Sequence, residues 1–252
     1  MKMNISENIK VSVICVFNDK SALDKQLKAS LTNQNIEYEL IALDNTSNRF
    51  KSAAEALNYG SSQAHGDILV YSHQDIYLKR PNELRGFVEA INNCPVGTVI
   101  GTQGVKEPRK VYYSNITAGN EYIDKIIEDY KEDYYEVSCV DEGFFGIKKQ
   151  TWERLRFNEI LCDNWHLYCV ELCLHTRKNG NSVYVWPSQL HHFSMGVISL
   201  GYMKNLKKLC KVYRGDFKYI WTTCYKVRTN TVYIHLLFWM WCLNRIIRGK
   251  LK

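Results

Sequence analysis

A histidine and an aspartate stand two residues apart at the end of an apolar run, and this pair has the clearest potential for chemistry in the sequence. The run ILVYS at 68–72 indicates a buried strand, and His73, Gln74 and Asp75 follow it. Because alternate residues of an extended chain face the same way, His73 and Asp75 can converge on one cation while Gln74 points elsewhere. Such a pair can hold a divalent ion against the phosphates of a nucleotide. A strand that has simply reached water also acquires polar residues, so the pair needs support from the rest of the chain.

The same pattern of an apolar run followed by polar residues occurs twice more upstream. The runs at 10–17 (KVSVICVF) and 38–43 (YELIAL) predict strands, and helical periodicity follows over 21–32 and 52–64, with capping-box pairs Ser21/Asp24 and Ser52/Glu55. Three strand-then-helix units predict parallel strands with right-handed crossovers. Ligands of such sheets collect beyond the carboxyl ends of the strands. The polar residues at those ends are Asn18, Asp19, Asp44, Asn45, His73 and Asp75.

Further elements complete an α/β pattern. The sequence predicts helices over 82–93, 121–130, 150–156 and 167–178, and strands over 97–101, 135–145 and 182–186. We therefore expect a mostly parallel sheet flanked by helices. A chain of 252 residues can form one large domain, which we place at 1–200, with an appendage at 201–252.

The appendage is strongly basic and rich in aromatic residues. It holds 12 of the 33 Lys and Arg and a single acid, Asp216, so its net charge is +11, whereas residues 1–200 carry −4. Such a segment suits an anionic surface, either nucleic acid or a phospholipid leaflet. No nucleic-acid motif is present and no nucleic-acid partner is expected. The apolar and aromatic residues beside Arg245 and Arg248 favour a helix lying on a membrane surface, and the apolar window 232–243 is too short to span a bilayer.

The nine cysteines predict a reducing compartment. Their number is odd, no Cys-x-x-Cys pair occurs, and the N-terminus lacks the apolar core of a signal peptide. Cys162, His166, Cys169 and Cys173 fall on one stripe of a helix and could in principle bind zinc. Zinc sites usually draw ligands from two tight pairs in turns, so a packed core stripe is the favoured interpretation.

Taken in order, these pieces resemble family 2 type glycosyltransferases of the GT-A fold, in particular the bacterial glycosyltransferase-like group with streptomycin-biosynthesis-type domains. The resemblance covers about residues 10–196. It rests on VSVICVFND, ELIALDNTSNRFKSAAEALNYG, GDILVYSHQD, DEGFFGIKK, and WHLYCVELCLHTRKNG with VYVWP and HHFSMG. It implies transfer of a sugar from a nucleotide-diphosphate sugar to a hydroxyl of a lipid-linked or cell-surface glycan precursor. The transfer would be inverting and assisted by Mn²⁺ or Mg²⁺. The cysteines and the basic tail, apart from the resemblance, predict a cytoplasmic enzyme held peripherally at the inner face of the cell membrane.

The resemblance also implies roles for individual positions. Asp44 would accept a hydrogen bond from the base or ribose, and Asp75 would present its carboxylate to the metal in the place of an Asp-x-Asp motif. His73 and His192 would be further metal ligands. The residues that would contact the nucleotide are Val16, Phe17, Asn18, Asp44, Asn45, Lys51, His73 and Gln74.

The resemblance fails at the general base. The family places an Asp just before a V-D-L-C-L-R motif, whereas Cys169 stands at that position here. A thiol is not an ordinary carboxylate base, and an inverting transfer needs a base within hydrogen-bond reach of the acceptor hydroxyl.

Three nearby residues are alternatives for this base. Glu171 comes first because its apolar helix could raise its pKa, although it could equally be a solvated residue or a partner of Arg177. Asp163 follows, with a helix cap as its alternative role, and then His166, which could be a structural hydrogen bonder. Because both the metal motif and the base motif depart from the family pattern, a nucleotide-sugar binder without turnover is the alternative function.

Overall fold

A seven-stranded sheet forms the centre of the molecule, a computed structural model that describes residues 9–108, 110–130, 134–194, 196 and 198–247. Five strands run in one direction and two oppose them. In spatial order the strands are Glu39–Asp44 (β2), Val11–Phe17 (β1), Ile68–His73 (β3), Phe144–Lys148 (β11), Val99–Gly101 (β5), Val183–Val185 (β12) and Tyr135–Glu136 (β9).

Helices cover both faces of this sheet, and three small sheets surround it. The helices are Lys20–Leu23 (α1), a π-helical continuation at Asp24–Lys28, Ala29–Leu31 (α2), Ala53–Gln63 (α3), Glu83–Asn93 (α4), Lys149–Leu155 (α5), Tyr168–Lys178 (α6), Leu200–Tyr213 (α7) and Thr231–Ile247 (α8). The small sheets are Ile76–Leu78 (β4) with Leu190–His192 (β13) and Thr117–Ala118 (β8), Cys139–Val140 (β10) with Gln103–Lys106 (β6) and Val111–Ser114 (β7), and Tyr219–Trp221 (β14) with Lys226–Arg228 (β15).

The predicted parallel units are confirmed. β1 pairs in parallel with both β2 and β3, so the chain leaves β1 on one side, forms β2, and crosses back to form β3 on the other side. Strand residues alternate between two buried layers: Ile14 and Leu69 face α3, α6 and α7, while Val13 and Val70 face α1–α2 and α4. The reversal of strand order at β1 leaves a crevice at the carboxyl ends of β1 and β3, where ligands of α/β sheets bind.

The tyrosine-rich segment at 121–130 is not the short helix that its pattern predicts. Its backbone groups form hydrogen bonds with side chains from other parts of the chain instead of with each other. The Gln189 amide accepts from the N–H of Ile127 and donates to its carbonyl, and the Lys79 ammonium donates to the carbonyl of Lys125. The segment is therefore held by residues next to β4 and β13 and not by the internal hydrogen bonds of a helix.

Two local predictions are corrected as well. The strand expected over 135–145 is divided into β9, β10 and the start of β11, because Asp141 and Glu142 leave the extended path before β11 begins. The first helix is capped by Asp19, whose carboxylate accepts the N–H groups of Ser21 and Ala22, and not by Ser21. The second capping prediction is confirmed, since the Ser52 hydroxyl accepts from the N–H of Glu55.

The division expected at residue 200 does not coincide with a break in the core. Met203, Leu206, Leu209 and Cys210 of α7 are fully buried, in the same apolar cluster as the central sheet. Among the described residues after 200, α8 carries most of the exposed large apolar side chains. Among the described residues, no helix combines the length and the apolarity that crossing a bilayer requires.

Candidate active site

A cavity of about 330 Å³ opens at the carboxyl ends of β1 and β3. The register of the sheet explains its position: Val16 lies opposite His73, and Phe17 lies opposite Asp44. Seven of the residues that the sequence assigns to a nucleotide or metal line this one space. The lining residues are Val16, Phe17, Asn18, Asn45, Asn48, Ala53, Leu57, Tyr71, Ser72, His73, Gln74, Asp75, Glu142, Trp165 and Tyr168.

Gln74, which follows β3, connects the carboxyl end of β3 with the loop after β1. Its side-chain oxygen accepts the backbone N–H groups of Asn18 and Asp19 at 2.9 and 3.0 Å, and its amide nitrogen donates to Oδ1 of Asn18 at 2.8 Å. Gln74 therefore faces the loop after β1 and fixes its conformation. This contact shapes the part of the cavity where the sequence places the nucleotide.

His73, Asp75 and His192 form a cluster beside the cavity, with one potential ligand atom from each lying within 4.8 Å of the others. Asp75 immediately precedes β4, and His192 ends β13, which pairs antiparallel with β4. The Nε2 atom of His192 lies 3.4 Å from Oδ1 of Asp75 and 3.1 Å from the hydroxyl of Ser194. Strand pairing therefore brings His192 to the other two residues.

Burial and neighbouring charges shift the pKa values of these three groups in different directions. Burial disfavours the charged form of Asp75, but the hydrogen bond and charge of His192 outweigh it and lower the pKa of Asp75 to about 2. Burial also opposes a charge on His192, yet the contact with Asp75 prevails and raises the pKa of His192. For His73, burial and then the charge of His192 lower the pKa. The cluster thus combines an ionised carboxylate with a neutral imidazole, both of which are metal-ligand forms.

Tyr168, the first residue of α6, orients His73. Its hydroxyl lies 3.2 Å from Nε2 of His73, and its ring forms part of the cavity wall. An outer hydrogen bond of this kind fixes the orientation of a metal-binding imidazole. The start of α6 is thereby connected to the cluster of His73, Asp75 and His192.

The donor set fits a divalent cation. Carboxylate oxygen suits Mg²⁺ and Mn²⁺, and the two imidazole nitrogens shift the preference toward Mn²⁺. Within the described part of the chain, this is the one cluster of three such side chains that approach closely enough to hold an ion. The cysteine stripe is not a second one: Cys162, Cys169 and Cys173 are fully buried in the core, as the packing interpretation predicts.

Comparisons with known proteins agree with this geometry. A family model described as "Glycosyltransferase like family" matches residues 12–229. The chain belongs to this glycosyltransferase-like family. The match continues through α7 and the β14–β15 hairpin, beyond the range 10–196 on which the resemblance rested. No curated protein gives a significant sequence match.

Solved structures show that the fold is GT-A. GalNAc-T7 with UDP, GalNAc and Mn²⁺ superposes with a TM-score of 0.61 at 13% identity, covering 81% of this chain and 48% of that one. S. aureus TarS 1–349 in complex with UDP-GlcNAc gives a TM-score of 0.53 at 14% identity, covering 83% of this chain and 67% of that one. The chain therefore spans about half the length of the GalNAc-T7 chain.

The glycosyltransferase-like chain does not bring the three predicted bases into the cavity wall. Glu171 is buried, 1% exposed, and its Oε1 accepts a 2.7 Å hydrogen bond from the hydroxyl of Tyr213 on α7. This burial raises the pKa of Glu171, as expected, but α6 turns the residue toward the core. Arg177, its alternative partner, pairs with Glu107 instead.

The other two candidate bases also have structural partners. Asp163 forms a 2.6 Å ion pair with Lys208 at the surface. The half-buried ring of His166 packs against Tyr202, and burial lowers its pKa. None of these placements favours a role as the base.

Two predicted nucleotide contacts lie at the same edge of the sheet but outside the cavity wall. Oδ1 of Asp44 accepts from both the N–H and the hydroxyl of Thr46, which lowers the pKa of Asp44. The backbone N–H of Lys51 donates to Glu55 at the start of α3, and its side chain is exposed. Both residues shape the loop between β2 and α3.

Glu142 is the acidic residue that the sequence interpretation missed. It lines the cavity, although it lies in the DEGFFG stretch that was assigned to a continuous strand. Burial, and then the charge of Asp141, raise the pKa of Glu142. The carboxylate of Asp141 itself accepts from the N–H of Gly143 and from the hydroxyl of Thr223, so the hairpin after α7 reaches this rim.

Proposed function

We propose that this chain transfers a sugar from a nucleotide-diphosphate sugar to an acceptor hydroxyl, with inversion and with the assistance of Mn²⁺ or Mg²⁺. One observation carries the proposal: the cavity at the carboxyl ends of β1 and β3 adjoins the cluster of His73, Asp75 and His192. A nucleotide in the cavity would place its diphosphate next to that cluster. The UDP and UDP-sugar bound by the two similar structures support this choice of donor.

Different residues of the cavity would bind the nucleoside and the cation. The loop after β1, fixed by Gln74, and Asn45 would hold the nucleoside, and His73, Asp75 and His192 would hold the cation. The cation, when bound, neutralises charge that develops on the diphosphate leaving group. Tyr168 maintains the orientation of His73, and the apolar wall formed by Val16, Phe17 and Leu57 restricts water.

We further propose that the protein acts on a lipid-linked or surface-glycan acceptor, peripherally on the cytoplasmic face of a membrane. On α8, Ile234 and Cys242 are buried, and Lys207 of α7 lies 5.2 Å from the Phe238 ring. The opposite face is an exposed apolar stripe with helical spacing. It consists of Val232, Tyr233, Leu236, Trp239, Met240, Leu243, Ile246 and Ile247.

Charge supports an anionic lipid surface as the partner of this stripe. The segment 201–252 carries a net charge of +11, and each Lys or Arg near an anionic leaflet contributes about 1 kcal/mol to binding. An apolar helix face flanked by basic residues is the pattern of an interfacial helix. A membrane-bound acceptor would then be presented to an enzyme held at the same surface.

A nucleotide-sugar binder without turnover is the second candidate, because Cys169 occupies the position of the family base and is fully buried. Thermal-shift screening of nucleotide sugars with and without Mn²⁺, followed by measurement of nucleotide release, separates the two functions. A glycosyltransferase is stabilised by one donor in a Mn²⁺-dependent manner and releases its nucleotide. Stabilisation without release identifies the binder, and the absence of any stabilisation contradicts both functions.

A further inference from the structure

We propose that Glu142 is the general base of the transfer and takes the place of the carboxylate that Cys169 cannot provide. This inference rests on the proposed function. Glu142 belongs to the wall of the cavity that also contains His73, Asp75 and Tyr168, so it borders the same space as two residues of the candidate metal site. The three bases expected from the sequence are not part of this wall.

The backbone around Glu142 explains how its carboxylate reaches the start of α6. The N–H groups of Leu167, Tyr168 and Cys169 are directed at it and stabilise its charge. Leu167 has φ = 67°, a left-handed conformation that is uncommon for a residue with a side chain. Successive N–H groups in such a turn form a concave anion site. A carboxylate from the segment before β11 therefore lies at the helix end that carries Cys169.

One oxygen of this carboxylate lacks a hydrogen-bond partner. Oε1 of Glu142 is buried and has no hydrogen-bond partner among the described residues. An unpaired buried carboxylate oxygen is costly to maintain. A hydroxyl group that enters the cavity would satisfy it by donating a hydrogen bond. The same hydroxyl would then be positioned to react.

The proposed step balances in atoms and charge. The acceptor oxygen forms a bond to the anomeric carbon of the donor sugar while its proton passes to the carboxylate of Glu142. The bond between that carbon and the diphosphate oxygen breaks, and the diphosphate leaves with the electron pair. Attack from the face opposite the leaving group inverts the anomeric centre. Burial, and then the charge of Asp141, raise the pKa of Glu142, so its ionised carboxylate is a stronger proton acceptor than an exposed one.

Glu142 could instead serve only to accept hydrogen bonds from the N–H groups at the start of α6. Comparing substitutions of two buried acids, Glu142 and Glu171, distinguishes this structural role from that of a base. Glu142→Gln retains an oxygen for the helix N–H groups but cannot accept the proton. Glu171→Gln is the matched control, because it changes a buried acid on α6 that lies outside the cavity wall. Each variant is assayed for UDP affinity with Mn²⁺, for thermal unfolding, and for UDP release from the UDP-sugar that stabilises the wild type. Water serves as the acceptor where no sugar acceptor is known.

We expect Glu142→Gln to reduce turnover by at least about 100-fold, the usual effect of losing a general base. Its UDP affinity should stay within about threefold of the wild type, and Glu171→Gln should retain wild-type turnover. Wild-type turnover by Glu142→Gln overturns the proposal, as does a parallel loss of turnover and UDP binding. If Glu142→Gln does not fold, Glu142→Ala is used, which also removes the proton-accepting carboxylate, and wild-type turnover by that variant overturns the proposal equally. A wild type that binds UDP and Mn²⁺ but never releases nucleotide from a donor overturns this proposal together with the proposed function.

Discussion

Nε2 of His192 lies 3.4 Å from Oδ1 of Asp75, and this contact joins two distant parts of the sequence at one site. The antiparallel pairing of β13 with β4 produces it, with His192 opposite Ile76. A second tie, from the N–H of Phe193 to the carbonyl of Asp75, holds the same two segments together. The position of the candidate metal site therefore depends on a small sheet outside the central one.

Tyr168→Phe should weaken the metal site without removing a ligand. The variant loses the hydroxyl 3.2 Å from Nε2 of His73, so the imidazole is less well oriented. Loss of such an outer hydrogen bond typically costs about 10- to 100-fold in metal affinity or activity. Titration of Mn²⁺ in the presence of UDP measures the effect. Tyr71→Phe is the control, because its hydroxyl bonds Ser61 rather than the cluster, and an equal loss of affinity in both variants would contradict this role of Tyr168.

Truncation should separate the membrane-binding surface from the folded domain. Removal of residues 231–252 deletes α8 but leaves α7 and its buried residues Met203 and Leu206 in place. This protein should stay folded, retain UDP binding, and lose binding to vesicles that contain anionic phospholipid. Removal of 201–252 should instead unfold the domain, since each large buried side chain lost costs about 2–5 kcal/mol. Sedimentation with vesicles and thermal unfolding test both statements, and vesicle binding retained without α8 would contradict the proposed surface.

Glu83 should make the protein less stable as the pH rises to neutral. Burial raises the pKa of this carboxyl on α4 to about 7, against the opposing hydrogen bond from the N–H of Gln189. Between about pH 4.5 and 7 the native state therefore binds more protons at this site than the unfolded chain does, and stability falls with rising pH.

Glu83→Gln removes this titration. The free energy of unfolding of the variant, relative to that of the wild type, should increase as the pH rises from about 4.5 to about 8. The increase should be on the order of 3 kcal/mol at most. Urea unfolding across this range measures the difference. Glu89→Gln, on the exposed side of the same helix, leaves Glu83 in place and should keep the pH dependence of the wild type. A stability difference between wild type and Glu83→Gln that does not change with pH would contradict the assigned pKa.

Local sequence patterns predicted the part of the site that depends on single strands. Each of the first three strands ends near a polar residue, and parallel pairing necessarily brings those ends to one edge. Asn18, Asn45, His73 and Asp75 were therefore located by periodicity and strand order alone. The pairing of His192 with Asp75 was implied only by the family resemblance, since no local pattern indicates which strand β13 joins.

Glu142, the residue that we propose as the base, was missed because its position depends on non-local register. Glu142 reaches the cavity because β11 runs antiparallel between β3 and β5, which brings the residues before β11 to the carboxyl edge of β3. The alternating pattern of 135–145 predicted one continuous strand, so the break at Asp141 and Glu142 was not anticipated. For Glu171 the helix was predicted correctly, but its rotation was not, and the Tyr213 hydroxyl on α7 meets it in the core.

The most direct test of the metal-assisted site is calorimetric titration of UDP into the wild type and Asp75→Asn, with and without Mn²⁺. Asp75 supplies the ionised ligand of the cluster, with its pKa held at about 2. The wild type should bind UDP at least about tenfold more tightly when Mn²⁺ is present. Asp75→Asn should lose that dependence and keep only the weaker metal-free binding. Equal Mn²⁺ dependence in the two proteins, or UDP binding by the wild type that ignores Mn²⁺, would contradict the account.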